Sequence, residues 1–320
     1  MTTKLVQQVR DDAAWVMAHA HDVRIETARI ADYARDLVAQ NPVLVTALDG
    51  ENHFVDSADA LKTAAYVLAL DSINFGSGAF HIAQRDGIDL EYHVVAQGLK
   101  RAFEDDALCD VAAWGDVTPA QCHTLFGIPA GAHTALDTLM QQFAQHLHAS
   151  AAHVARDFGD IATMLARYRG NGLGLLETVA QWPHFKDVAA YEGRETAIYK
   201  RAQIFLADIE LAIAPGATYF GGLEHLTCFA DNMVPHVLRA DGVLKYSDAL
   251  AQRVDAGDMI AAGSTQETEL RCAAIHAVEL MRESLGDAYT SVNLDHMLWH
   301  RGYLPGFTQL IPHRTLSSWY

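Results

Sequence analysis

Three ionisable side chains sit where the surrounding pattern reads as buried: Asp71 in "LALDSINF", Lys200 in "YKRAQIFLADI" and Asp231 in "LTCFADNMVPHVL". An isolated charge is costly to bury, so each must be paired, hydrogen-bonded or turned to a ligand. Asp231 lies four residues before Pro235. Val234 precedes the proline and is steered away from α geometry, while the proline itself is tolerated in a first helical turn. The pattern predicts a helix over "MVPHVLRADG" with Asp231 or Asn232 at its cap. A capping Asp contributes about 1 kcal/mol and would account for the residue without any function. A helix N-terminus also favours the ionised form of a nearby carboxylate. An ionised, oriented carboxylate is what stabilises an oxocarbenium ion or activates water in glycosidic cleavage. Capping and catalysis are compatible.

Asp71 shares a helical face with Ala64, Leu68 and Phe75 by spacing. It bonds a helix terminus or backbone amides, or it faces a ligand. Lys200 lies on one side of its helix with Ile204 and Ala207/Asp208. Its partner is a buried Asp on one reading, and a phosphate or catalytic carboxylate on the other; spacing leaves the two even. Other chemistries are absent. "GNGLGLLETV" is neither a P-loop nor a dinucleotide fingerprint and reads as a glycine-rich helix connection. The histidines show no H-E-x-x-H, and His146, His148 and His153 do not line one helical face, so no catalytic metal is expected. G-x-S-x-G is absent.

The elements that would carry these residues are mostly helices. "SADALKTAAYVLALDSINFG" has Ser57 as its expected cap, and "TPAQCHTLFG" has Thr118 at the cap with Pro119 at the first helical position. A long helical stretch from Thr134 breaks near Phe158-Gly159. "STQETELRCAAIHAVELMRESLG" carries a Ser264/Glu267 capping-box pattern, an apolar stripe of Ala274, Ile275, Val278, Met281 and Leu285, and Gly286 as its stop. Strand-like runs are few: "NPVLVTAL" and "GIDLEYHVV". With no βαβ alternation and no repeat, the class is mainly α with at most small β elements. The 320 residues, half of them hydrophobic, are expected to form a single globular unit. Within it, a helical layer over residues 1–115 would pack on a core over 116–320.

Net charge is −17 with no Lys/Arg run. A phosphate-tracking surface needs a basic patch, so DNA or tRNA binding is disfavoured and a small polar ligand fits better. Any phosphate on that ligand must be held by a few local cations against an adverse overall field. Cys109, Cys122, Cys228 and Cys272 are scattered and read as reduced thiols of a cytoplasmic protein. The N-terminal stretch lacks the apolar region of a signal peptide, and no run approaches a membrane span.

"ENHFVD", "LALDSINF", "WPHFKD", "YKRAQIFLADI", "LTCFADNMVPHVL", "GVLKYSDAL", "GSTQETELRCAAIHAVEL" and "NLDHMLW" occur in one order. From about residue 50 to the end, this chain resembles the queuosine salvage proteins, the queuosine 5′-phosphate N-glycosylase/hydrolases. The family typically has an aromatic run where this chain has "GSGAF", which alters the expected lining of the base pocket. The resemblance implies a core like that of helix-hairpin-helix DNA glycosylases, and "APGATYFGGLEHLTCFADNMVPHVLRADGVL" looks like such a hairpin followed by the helix bearing the glycosylase Asp. It implies cleavage of queuosine 5′-monophosphate to queuine and ribose 5-phosphate, without metal or cofactor.

On that resemblance Asp231 is expected beneath the ribose C1′, as a nucleophile or as a stabiliser of sugar charge that guides water. Lys200 would bind the phosphate or pair with Asp231. Asp71 and Asp295, with Asn74, would receive the secondary ammonium and diol of queuine. His53, Phe75, Tyr199 and Phe229 would stack on or hydrogen-bond the base. Two rivals remain: a glycosylase acting on intact nucleic acid, disfavoured by the charge, and a non-catalytic binder of queuosine-type metabolites, which would not need both Lys200 and Asp231.

Overall fold

The computed structural model describes residues 3–41 and 43–320. In chain order the elements are α1 (Lys4–His19), β1 (Val23–Ile25), α2 (Thr27–Gln40), α3 (Ala60–Ser72), α4 (Ser77–Arg85), α5 (Tyr92–Glu104), α6 (Pro119–Phe126) and α7 (Thr134–Asp157). There follow α8 (Ile161–Tyr168), α9 (Gly172–Val179), β2 (Val188–Tyr191), β3 (Arg194–Ala197), α10 (Lys200–Ile213), α11 (Met233–Ala240) and β4 (Leu244–Tyr246). The chain finishes with α12 (Asp248–Asp255), α13 (Thr265–Leu285), α14 (Ser291–Gly302) and α15 (Pro305–Thr308). The fold is mainly α, as the sequence indicates. Among the described residues no helix is long and apolar enough to cross a membrane.

The chain divides into two compact units. The first comprises residues 1–45, 187–203 and 222–316, and the second residues 46–186, 204–221 and 317–320. In the first, α13 is the central helix and packs against α1, α2, α11 and α14. Its centrality explains its composition: Leu270, Cys272, Ala273, Ala274, Ile275 and Val278 are all buried, because neighbours cover more than one face. In the second, α7 packs on α3, α4 and α6, and α3 on α5. Trp114, Phe143 and Trp182 are fully buried there.

The helix ends follow local chemistry. Thr118 and Gln121 form a reciprocal capping box at α6, and Ser264 accepts from the Glu267 amide at α13. The Glu267 carboxylate reaches past the Ser264 amide and accepts from Gly263 N–H (3.1 Å). Four expectations need correction. The cap of α3 is Asp59, whose carboxylate accepts from Lys62 N–H (2.9 Å), not Ser57. The same helix ends at Ser72, so Phe75 lies beyond it rather than on its face. The run "GIDLEYHVV" enters α5, because Val95, Leu99, Ala102 and Phe103 bury at helical spacing and override the β-branched pair. The run from Asn41 to Leu48 forms no strand in its described residues; its Pro42 lies outside them.

The strands that do form were not anticipated. β2 and β3 make an antiparallel hairpin, with Val188 opposite Ala197 and Tyr191 opposite Arg194. Its two-residue turn, Glu192-Gly193, takes φ of 49° and 78°, the mirror-image turn that suits strand twist. β1 and β4 pair antiparallel, Val23 opposite Tyr246. What pins β1 is a buried carboxylate on α13. Glu269 accepts from His21 N–H (3.0 Å), Asp22 N–H (2.7 Å), Val23 N–H (3.0 Å) and the Tyr191 hydroxyl (2.9 Å). Glu269→Gln halves the accepting capacity and points an amide donor at backbone donors. We expect a loss of about 3 kcal/mol in unfolding free energy, read as a lower urea midpoint at unchanged m-value. An unchanged midpoint would mean that this carboxylate does not anchor the strand.

Candidate functional site

The Asp231 segment is irregular backbone between a 3-10 turn at Leu223–His225 and the start of α11. Such a segment has no ladder to satisfy its amides and carbonyls, so side chains must do it. Gln203, in the first turn of α10, takes Thr227: its Oε1 accepts from Thr227 N–H (2.9 Å) and its Nε2 donates to Thr227 Oγ1 (2.9 Å). Asp295, on α14, accepts from Phe229 N–H at 2.7 Å. Arg271, on α13, donates Nε–H to the Ala230 carbonyl at 2.9 Å. Three helices therefore grip residues 227, 229 and 230 in turn.

Asp231 comes next. Its Oδ1 accepts from Met233 N–H (2.7 Å) and Val234 N–H (3.2 Å), satisfying two first-turn amides of α11. Asn232, just before the first residue of α11, already has helical dihedrals (φ −89°, ψ −18°), and its side chain makes no capping bond. Asp231 therefore caps from one position further out. It is half-buried, and among the described residues its Oδ2 accepts no hydrogen bond. One oxygen is anchored by the helix start and the other is not.

The neighbouring charges belong to the same unit. Lys200 is buried at the first position of α10 and donates its backbone N–H to Asp187 Oδ2 (3.1 Å). Tyr199, just before it, is held at φ 53°, a left-handed conformation costly for an aromatic residue. The Asp187 carbonyl offsets that cost by accepting from both Ile198 N–H and Tyr199 N–H (3.1 Å each). Burial raises the Tyr199 phenol above its ordinary pKa. Asp295 is buried, and its pKa is pushed up to about 7, first by burial and then by the Asp231 charge. The Phe229 amide and the Lys200 charge oppose that rise. Phe229 is buried with its ring 6.4 Å from that of His296.

Tyr199, Lys200, Phe229, Asp231 and Asp295 thus all lie in the first unit, and His53, Asp71, Asn74 and Phe75 in the second. His53 is buried, with Nδ1 donating to the Asp49 carbonyl (2.9 Å) and Nε2 2.9 Å from the Tyr92 hydroxyl. Burial lowers its pKa. Asp71 is fully buried and accepts from Asn74 Nδ2 at 3.1 Å. Phe75 packs edge-on against Phe143, centroids 5.2 Å apart.

Sequence reading missed Asp187, Gln203, Thr227 and Arg271. Asp187 and Arg271 form a fully buried bidentate pair, Nη1 to Oδ1 at 3.0 Å and Nη2 to Oδ2 at 2.6 Å. A signal was present. Arg271 stands three, four and seven residues before Ala274, Ile275 and Val278, on the apolar stripe of its helix, and an Arg there requires a buried anion.

A model of the queuosine salvage protein family matches residues 53–320. The queuosine 5′-phosphate N-glycosylase/hydrolase of Sphaerobacter thermophilus is 33% identical over 320 residues, covering 95% of this chain and 95% of that protein. The protein of the same name from Dictyostelium discoideum is 29% identical over 330 residues, covering 98% of each. That of Mus musculus is 36% identical over 159 residues, covering 44% of this chain and 46% of its own.

The Asp295 carboxyl generates a prediction of its own. Its folded pKa lies above the ordinary carboxylate value near 4, so between about pH 4 and pH 7 the folded state holds a proton that the unfolded state has lost. Stability therefore falls as pH rises through that window, and the loss is complete above it. Asp295→Asn keeps an acceptor for Phe229 N–H and removes the titration. Relative to the wild type it should gain on the order of 2 kcal/mol more at about pH 8 than at about pH 5 in urea denaturation. The same difference at both pH values would refute the raised carboxyl.

Proposed function

The chain belongs to the queuosine salvage protein family, and on that premise we propose that it hydrolyses the N-glycosidic bond of queuosine 5′-monophosphate, releasing queuine and ribose 5-phosphate. The observation that carries the mechanism is the division of labour within Asp231: Oδ1 anchored on two amides, Oδ2 open. As the bond from C1′ to the base breaks, its electron pair leaves with queuine and the ribose gains oxocarbenium character. A fixed carboxylate at C1′ stabilises that charge without reorganising, which is where electrostatic catalysis draws its strength. Water supplies the hydroxyl at C1′ and its remaining proton ends on the base. Covalent capture by Oδ2 and stabilisation of a transient cation differ in the anomer released, which proton spectra of fresh product distinguish.

Queuine is a 7-deazaguanine, so carbon occupies position 7 and protonation there is closed as a route to a better leaving group. The departing charge must be met through the pyrimidine-ring heteroatoms. Asp295, with its pKa near neutrality, is the acidic group beside Asp231 suited to donate or accept a hydrogen bond. Lys200 supplies the local cation that a phosphate monoester needs in a chain of net charge −17. Tyr199 and Phe229 offer ring surface to the base. All four thiols are free, and a reducing cytoplasm is the proposed location.

Asp231→Asn preserves shape and can still accept from the α11 amides. We expect it to lower queuine release from the 5′-monophosphate by at least about a thousandfold, with a melting temperature within a few degrees of the wild type. Near-normal release would remove Asp231 from the chemistry. The wild type should act on the free nucleotide far faster than on intact tRNA carrying the same base; the opposite order would favour a nucleic-acid glycosylase.

A further inference from the structure

The segment carrying Asp231 and the helix start carrying Lys200 are joined by the Gln203–Thr227 bonds and through a buried ion pair between Arg271 and Asp187, with Glu267 Oε1 3.5 Å from the same guanidinium. From Asp231 the path runs one residue back to the Ala230 carbonyl and through Arg271 Nε (2.9 Å). It crosses from the guanidinium to both oxygens of Asp187 (3.0 and 2.6 Å), and leaves by Asp187 Oδ2 to Lys200 N–H (3.1 Å). We infer that the Arg271–Asp187 pair is a positioning device that holds Asp231 in register with Lys200, so that a substrate held at one is presented correctly to the other. The inference rests on the proposed catalytic reading of Asp231.

Two physical arguments favour positioning over plain stabilisation. Both side chains are almost wholly shielded from water, with 1% and 2% of their surface exposed. A pair so desolvated is commonly no better for stability than well-packed apolar residues, so its value lies in fixing geometry. The chemistry also demands arginine. One rigid plane aims Nε at the Ala230 carbonyl while Nη1 and Nη2 grip the carboxylate, whereas a lysine ammonium has no such fork. Asp187 is used as fully: its side chain serves Arg271 and the Lys200 amide, and its carbonyl serves Ile198 and Tyr199 in the strained turn just before. Neither residue is assigned contact with substrate; both act through the groups they hold.

Arg271→Lys keeps charge but loses the fork, and Asp187→Asn keeps size but loses the anion. Steady-state kinetics with queuosine 5′-monophosphate, alongside thermal melting of each full-length variant, test the inference. Positioning predicts folded variants with kcat reduced by roughly ten- to a hundredfold and KM moved by less than about threefold, because substrate stays bound while Asp231 is misaligned with C1′. The inference is overturned if folded variants retain kcat within about threefold. It is equally overturned if only KM rises, or if both variants are unfolded at the assay temperature, which would make the pair structural. A wild type that releases no queuine would instead overturn the reading of the site itself, so the two failures are distinguishable.

Discussion

The contact on which the candidate site of the first unit depends is a buried salt bridge that does not end at its two charges. Arg271 and Asp187 satisfy one another and then extend to a carbonyl on one side and an amide on the other. The segment from Thr227 to Asp231 has no regular structure to hold it, and the start of α10 follows a strained residue. Each is a place where backbone geometry would otherwise relax. A charge-assisted, planar, bidentate contact is among the stiffest connections a protein can make between such places.

The same logic recurs across the chain and gives its acidity a structural use. Glu269 takes three successive amides before and within β1, Asp12 takes the Ala197 amide and Arg194, and Glu210 takes the amides of Tyr219 and Phe220. A carboxylate accepts several donors at once, which suits irregular backbone rich in unpaired N–H groups. Several acidic residues are thus directed inward as loop anchors. The surplus of acidic over basic residues is not simply a solvated surface.

Asp231 is the instance of this habit that leaves an oxygen over. Its Oδ1 is committed to the first turn of α11, so the side chain is already held in one orientation. Asp295 is the instance that costs stability: a carboxyl buried beside another is held partly protonated near neutral pH. Pairs of acids whose environments push their protonation apart are a recurring basis for acid–base chemistry. A group held protonated in that way burdens folding once the pH rises above its pKa.

The local setting of Asp231 and Lys200 was legible in sequence because local rules govern it. A carboxylate just upstream of a Pro-containing helix start reads as a cap, and Asp231 does cap α11, though Asn232 holds the formal position. Lys200 in an apolar run reads as buried, and it is. The helical class followed from spacing, as did the caps at Thr118 and Ser264. The tertiary structure decided the rest. The strands at Val23–Ile25 and Leu244–Tyr246 are short and far apart in the chain, with Glu269 supplying what their own residues do not. The α5 segment became helix because its burial pattern outweighed its valines. Arg271 stood in an apolar stripe as an unexplained charge; Glu267, four residues before it, approaches to 3.5 Å, but the carboxylate that grips both its Nη atoms lies eighty-four residues away. Sequence determined which groups must find partners, because burial of a charge or an amide is read from local pattern. Which partner each one found depended on the packing of distant helices, and no local pattern encodes that.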